Sequence, residues 1–185
     1  MEIFVPIPPE GGEWVVTDTA RELEKMLGAG ASRIRWWKRP IRAVHVAHGD
    51  EPRRRPLRSV DAPWMGSHGL VVKPAARALL EPLFGSAAQY VPVRGTPYPK
   101  LDYVHVHKLA DVLDENASDI HYFTPGRDIM DVARYMFRRE VANAGPVFKL
   151  ERMPRGSIFL RDDAVDAIHA SGLSGFAFEK VWSST

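Results

Sequence analysis

At 185 residues, with 45% apolar and 26% charged side chains, the chain has the size and balance of one soluble globular domain, which buries roughly 70% of its unfolded surface. It contains no cysteine, which excludes disulfides, thiolate nucleophiles and cysteine zinc sites and fits a reducing compartment. The net charge is only +2, yet residues 33–58 hold nine basic side chains against two acidic ones, so this segment stands at +7 and the remainder at −5. Such an imbalance speaks to partners rather than to fold.

The chain starts without a basic region followed by a long apolar one, and no window approaches the ~18 apolar residues of a membrane span. Cytoplasm is the expected compartment. Residues 17–27 read as a helix, because Thr19 and Glu22 have capping-box spacing, Leu23, Met26 and Leu27 form a stripe, and Gly28 and Gly30 can end it. Strands are expected at 34–37 and 43–47. The stretch 49–63, punctuated by Pro52, Pro56 and Pro63, reads as an exposed loop. A strand at Val71 and Val72 leads into a helix that Pro74 starts and that ends by Leu83. Tyr90 and Pro92 read as an edge strand followed by a turn at 95–99. A strand at 103–107 is expected to run into a short helix through Leu109, Val112 and Leu113 ending near Asp114, with a further strand at 120–123. Over 127–142, the residues Ile129, Val132, Ala133, Met136, Phe137 and Val141 fit a helical period, while 135–137 fits a strand equally well. A strand at 147–150 and a helix at 164–170, preceded by Asp162 and Asp163 and stopped by Gly172, complete the chain.

Residues 70–93 and 157–181 share one layout: an apolar run, a helical stretch, a glycine and a second run. Aligning the glycines sets Val71 with Ile158, Ala78 with Val165 and Gly85 with Gly172. Two strand–helix–strand units and irregularly interleaved strands predict an α+β fold, with a mixed, largely antiparallel sheet and a few packed helices. The expected organisation is a main domain at 61–185 with a variable region, 1–60, packed on it, or one domain over 1–185.

Reactive constellations are scarce. His45 and His48 lie three apart, and His105 and His107 would share a face of a strand, but neither pair has a carboxylate at a metal-site spacing; no metal is expected. Ser67 and His68 between Gly66 and Gly69 lack nucleophile-elbow spacing and read as a tight turn. There is no phosphate loop and no dinucleotide fingerprint, so no cofactor is expected. Trp36 and Trp37 among Arg33, Arg35, Lys38 and Arg39 form the most suggestive cluster, since aromatics with arginine are the composition of binding hot spots.

Three groups of residues connect the chain to a known family. They are Trp64 to Ser67 ahead of Leu70 to Val72, Tyr103 to Val106 leading into Asp111 to Asp114, and an ending of Val147 to Leu150, Ile158 to Leu160, Ala164 to Ile168 and Gly172 to Phe178. Over roughly residues 60–182 the chain resembles the bacterial immunity proteins catalogued as number eleven among the immunity families of polymorphic toxin systems. Residues 127–142 read more helical than the strand-like pattern of that family. The resemblance implies a cytoplasmic protein that binds and neutralises a cognate protein toxin, and it brings no catalytic residues with it. Arg33, Arg35, Trp37, Arg39, Arg42, Arg53, Arg54 and Arg55 are the candidate partner-binding residues, and the expected mode is binding without catalysis. The same basic and tryptophan-bearing segment, 33–58, is also the composition of a nucleic-acid-binding module, the alternative reading.

Overall fold

The computed structural model describes residues 1–30, 32–34, 41–46, 57–94, 100–124 and 127–184. Among them it has three α-helices and twelve strands, an α+β architecture dominated by two five-stranded sheets. The first sheet has the order β12 (Phe178–Ser183), β1 (Glu2–Pro6), β11 (Phe159–Arg161), β10 (Val147–Leu150) and β7 (Leu109–Ala110). The second runs β2 (Trp14–Thr17), β3 (Ile41–Val46), β5 (Ala88–Arg94), β6 (Leu101–Val106) and β4 (Leu70–Val72). A hairpin of β8 (Asp119–Tyr122) and β9 (Ile129–Arg134) stands apart. Only the β3–β5 and β10–β7 pairs are parallel. No described helix is long and apolar enough to cross a membrane.

The repeated layout corresponds to a repeated topology. β4, α2 (Pro74–Phe84) and β5 form one unit, and β11, α3 (Asp162–Ala170) and β12 the other. In each, one antiparallel strand is inserted between the two outer strands: β6 lies between β4 and β5, and β1 between β11 and β12. The two helices meet over a common apolar cluster, with Ala76, Leu80 and Phe84 of α2 beside Ala164, Val165 and Ile168 of α3. Burial matches Ala76 to Ala164 and Leu80 to Ile168, one residue away from the register set by the glycines. α2 is two residues longer than α3, so aligning the glycines displaces the helices.

Several expectations change for physical reasons. Thr19 caps α1 (Ala20–Gly28), its side chain accepting the Glu22 N–H at 3.3 Å, while Thr17 belongs to β2. β5 is an interior strand rather than an edge, and Pro92 is accommodated because pairing with β3 begins only at Val93. No helix forms at 109–114. Leu109 and Ala110 instead pair in parallel with Lys149 and Leu150, and Val112 accepts a hydrogen bond from Arg138 N–H, so tertiary pairing overrides the local period. Residues 127–142 resolve into strand β9 and a 3-10 turn at Arg139–Asn143. Within the expected 49–63 loop, Val60 and Ala62 are buried, and Arg58 N–H donates to Gly11 C=O; residues 49–56 lie outside the described residues. Of the expected 34–37 strand, Ile34 has no regular structure and the rest lies outside the described residues.

Candidate functional site

Strand alternation gives the second sheet two different faces. Val15, Ala43, Val71, Val93, Leu101 and Tyr103 point to one side and close over Met26 of α1. Trp14, Val16, Arg42, Pro92, Arg94 and Asp102, at the alternate positions, therefore belong to the opposite face. α2 packs on that face over β4 and β6. A helix is about 10 Å across and strands lie about 4.8 Å apart, so one helix covers roughly two strands. Among the described residues, no helix lies on this face over β2, β3 or the end of β5. Trp14 is 39% exposed and Val16 42%, apolar side chains that a closed sheet would bury.

Where the open face meets α2 lies a groove of about 590 Å³. Arg77 is fixed on its helical wall by three contacts. It bonds Asp102 at 3.1 Å and Glu81 at 3.2 Å, and its guanidinium lies 5.1 Å from the centre of the Tyr90 ring. The hydrogen bonds to Glu81 are the main cause of its raised pKa. Burial pushes the Tyr90 phenol well above its usual range. Arg94 and Lys100 stand exposed at the rim, with no carboxylate partner among the described residues. On the open face, Arg42 reaches only Asp18, at 3.7 Å, and both remain well exposed.

The expected partner-binding residues divide. Arg42 lies on the open face. Arg33 is placed elsewhere, its Nε donating to His107 Nε2 at 3.3 Å beside β6. Arg35, Trp37, Arg39, Arg53, Arg54 and Arg55 lie outside the described residues. The described flanks of their segments are firmly held. Ile34 and Gln89 exchange two hydrogen bonds, 2.8 and 2.9 Å, and beyond 35–40 Ile41 pairs with Val93. On either side of 47–56, Val46 pairs with Trp14 and Arg58 bridges to Gly12. The latter anchor is reinforced by buried Glu13, which accepts from Lys73 Nζ at 2.6 Å and from Val60 N–H at 3.1 Å. The described residues flanking 35–40 and 47–56 thus lie in or next to the second sheet, with Val46 paired to exposed Trp14.

Trp14, Val16, Arg94 and Lys100 were not among the expected contact residues. The signal for the first two was the alternation of Trp14 and Val16 about Val15. A second apolar exposure, Phe123 at 72% and Met130 at 51%, belongs to the β8–β9 hairpin, which packs on the first sheet's core through Ile120 and Ile129.

Beneath the opposite face lies a row of rings: His68, Tyr103, His105 and His107, with successive centres 6.2–6.3 Å apart. His105 Nε2 meets Ser32 C=O at 2.9 Å. Burial, and then the charge of nearby Lys149, lower His68 to about 4; burial likewise lowers His105 to about 4. Burial alone lowers Lys149 to about 8. Among the described residues, the charged neighbours that act on these rings, Lys149, Arg33 and His107, are cations. Ser67 Oγ bonds Ser157 Oγ at 2.8 Å and has no histidine partner. Among the described residues no group of three histidines or carboxylates could hold a metal.

No curated protein matches the chain. A model of the Immunity protein family (Imm11) matches residues 13–183, which takes in both strand–helix–strand units, the ring row and the open sheet face, and extends nearer the N terminus than the 60–182 resemblance. The chain, matched over nearly its whole length, belongs to the Immunity protein family (Imm11).

Proposed function

We propose that this protein binds a cognate bacterial toxin in the cytoplasm and neutralises it by occupying a surface the toxin needs. Family membership supports toxin immunity in general. The observation that carries the binding mode is the uncovered half of the second sheet. It combines Trp14 and Val16 with Arg42 and Arg94, and Ile41 and Val46, described residues next in sequence to the segments carrying Arg35, Trp37, Arg39, Arg53, Arg54 and Arg55, belong to its strands. Aromatic and arginine side chains around an apolar centre are what protein interfaces use for most of their affinity. Contact burying about 800 Å² on each partner would suffice for a stable complex. Cations around that centre would speed encounter with an acidic toxin.

The test is co-expression with its cognate toxin domain, to be sought in the reading frames next to this gene. Intact chain should restore growth, and a Trp14→Ser/Val16→Ser variant with unchanged circular dichroism should not. Full protection by that variant would remove the open face from the account. Tight, salt-sensitive binding to random oligonucleotides, without toxin binding, would favour the nucleic-acid alternative.

A further inference from the structure

The groove between α2 and the adjoining ends of β5 and β6 has a chemistry of its own. Its volume, about 590 Å³, lies within the usual range for a bound ligand or a short inserted segment. Its walls offer Pro74 and Ala78 from the helix and Pro92 from the sheet, apolar surfaces with no polar group to satisfy. Arg77 is held between Asp102 and Glu81, one cation against two carboxylates, so these three interior groups sum to −1. Arg94 and Lys100 at the rim, both positive, bring the lining to +1. Arg42 adds to them, because its backbone lies opposite Arg94 in the parallel β3–β5 pair. Like charges on directly opposed residues cost stability, a cost that packing of the fold does not require.

We propose that this groove receives an acidic segment of the toxin, with apolar side chains against Pro74, Ala78 and Pro92 and carboxylates paired to Arg94 and Lys100. The inference rests on the toxin-binding reading and names the chemistry of the partner. A nucleic-acid strand fits the groove poorly. Its phosphates would run past Asp102 and Glu81, and among the described residues the groove's lining includes no aromatic ring for bases to stack on. A protein loop places carboxylates singly, where the two rim cations stand.

Calorimetric titration of the purified cognate toxin domain, at low and at physiological salt, tests this. Three forms of the full chain are compared: unmodified, Arg94→Glu/Lys100→Glu, and the conservative Arg94→Lys/Lys100→Arg. Both positions are exposed and have no carboxylate partner among the described residues, so each form should fold, as thermal melts will verify. The expected result is a loss of about 30-fold or more in affinity for the charge reversal, a flattened salt dependence, and recovery to within about threefold in the conservative variant. Affinity of the reversed form within about threefold of the unmodified chain, while the unmodified chain binds, overturns the groove assignment and leaves toxin binding intact. Absence of binding by the unmodified chain overturns the reading beneath it. Competition by a single-stranded oligonucleotide at low salt, lost in the reversed form, overturns the acidic-segment assignment in favour of a nucleic-acid occupant.

Discussion

Arg42 of β3 lies directly opposite Arg94 of β5 in parallel register, two cations on neighbouring strands of the second sheet. Asp18 relieves Arg42 only weakly, from 3.7 Å and in solvent. Arg94→Glu should convert this repulsion into a cross-strand ion pair and raise the stability of the isolated chain by roughly 0.2–1 kcal/mol at low salt. Urea unfolding midpoints at two salt concentrations measure it. A variant less stable than the parent would show that Arg94 has a structural partner. In the account given above, the same change weakens toxin binding, so stability and function move in opposite directions at this position.

The buried histidines set a pH dependence. His68 and His105 titrate near 4 in the folded protein and near 6.5 when unfolded. The unfolded chain therefore takes up protons first as pH falls. Stability should be full above about pH 6.5 and decline toward pH 4, by about 1–2 kcal/mol per pH unit near pH 5 after allowance for partial solvent screening. Denaturant midpoints measured from pH 7.5 down to 4.5 would show it. A flat profile would mean that these rings are solvated.

The α2 unit was legible because its cues are local: Pro74 at the first turn, the burial spacing of Ala76, Leu80 and Phe84, and Gly85 at φ +49° as the stop. α3 and β10 were legible for the same reason. β1 was not read as a strand, although it pairs with both β11 and β12. Its run of Ile3, Phe4 and Val5 is bounded by Pro6, and runs that short do not distinguish strand from helix by period. The 109–114 segment misled because Leu109, Val112 and Leu113 have helical spacing while their partners, Lys149 and Arg138, lie some 25–40 residues away. The open face was the least legible part. Which residues α2 leaves uncovered depends on strand order, and β3 meeting β5 is a non-local pairing.

Among the described residues Lys149 is the one lysine buried in the core, and burial alone depresses its ammonium to about 8. Its ammonium donates to Pro154 C=O at 3.5 Å, a bond that compensates little of that desolvation. Lys149→Met, similar in length, should stabilise the protein at pH 7 by roughly 1–2 kcal/mol. The advantage should shrink as pH rises from 8 to 10.5, where the native lysine sheds its proton before the unfolded one does. Thermal melts of both forms at pH 7 and pH 10 separate this from a simple packing gain, which would not depend on pH.

Gly69 fixes the turn into β4. A Cβ there would lie 2.4 Å from Cε2 of Tyr103, and that ring, 1% exposed, has no room to withdraw. Gly69→Ala should cost about 1–3 kcal/mol through overpacking. Pairing it with Tyr103→Leu, which removes the opposed ring atoms, should recover part of the loss. Chemical denaturation of the two single variants and the double variant gives the coupling; strict additivity would refute the clash.

The most direct measurement is an inhibition titration: residual activity of the cognate toxin domain, followed as purified chain is added. The account predicts loss of toxin activity with a sharp stoichiometric end point and co-elution of the two chains as one complex on size exclusion. Toxin that stays fully active in excess chain, or protection that arises because this chain chemically alters the toxin's target without binding the toxin, would contradict it.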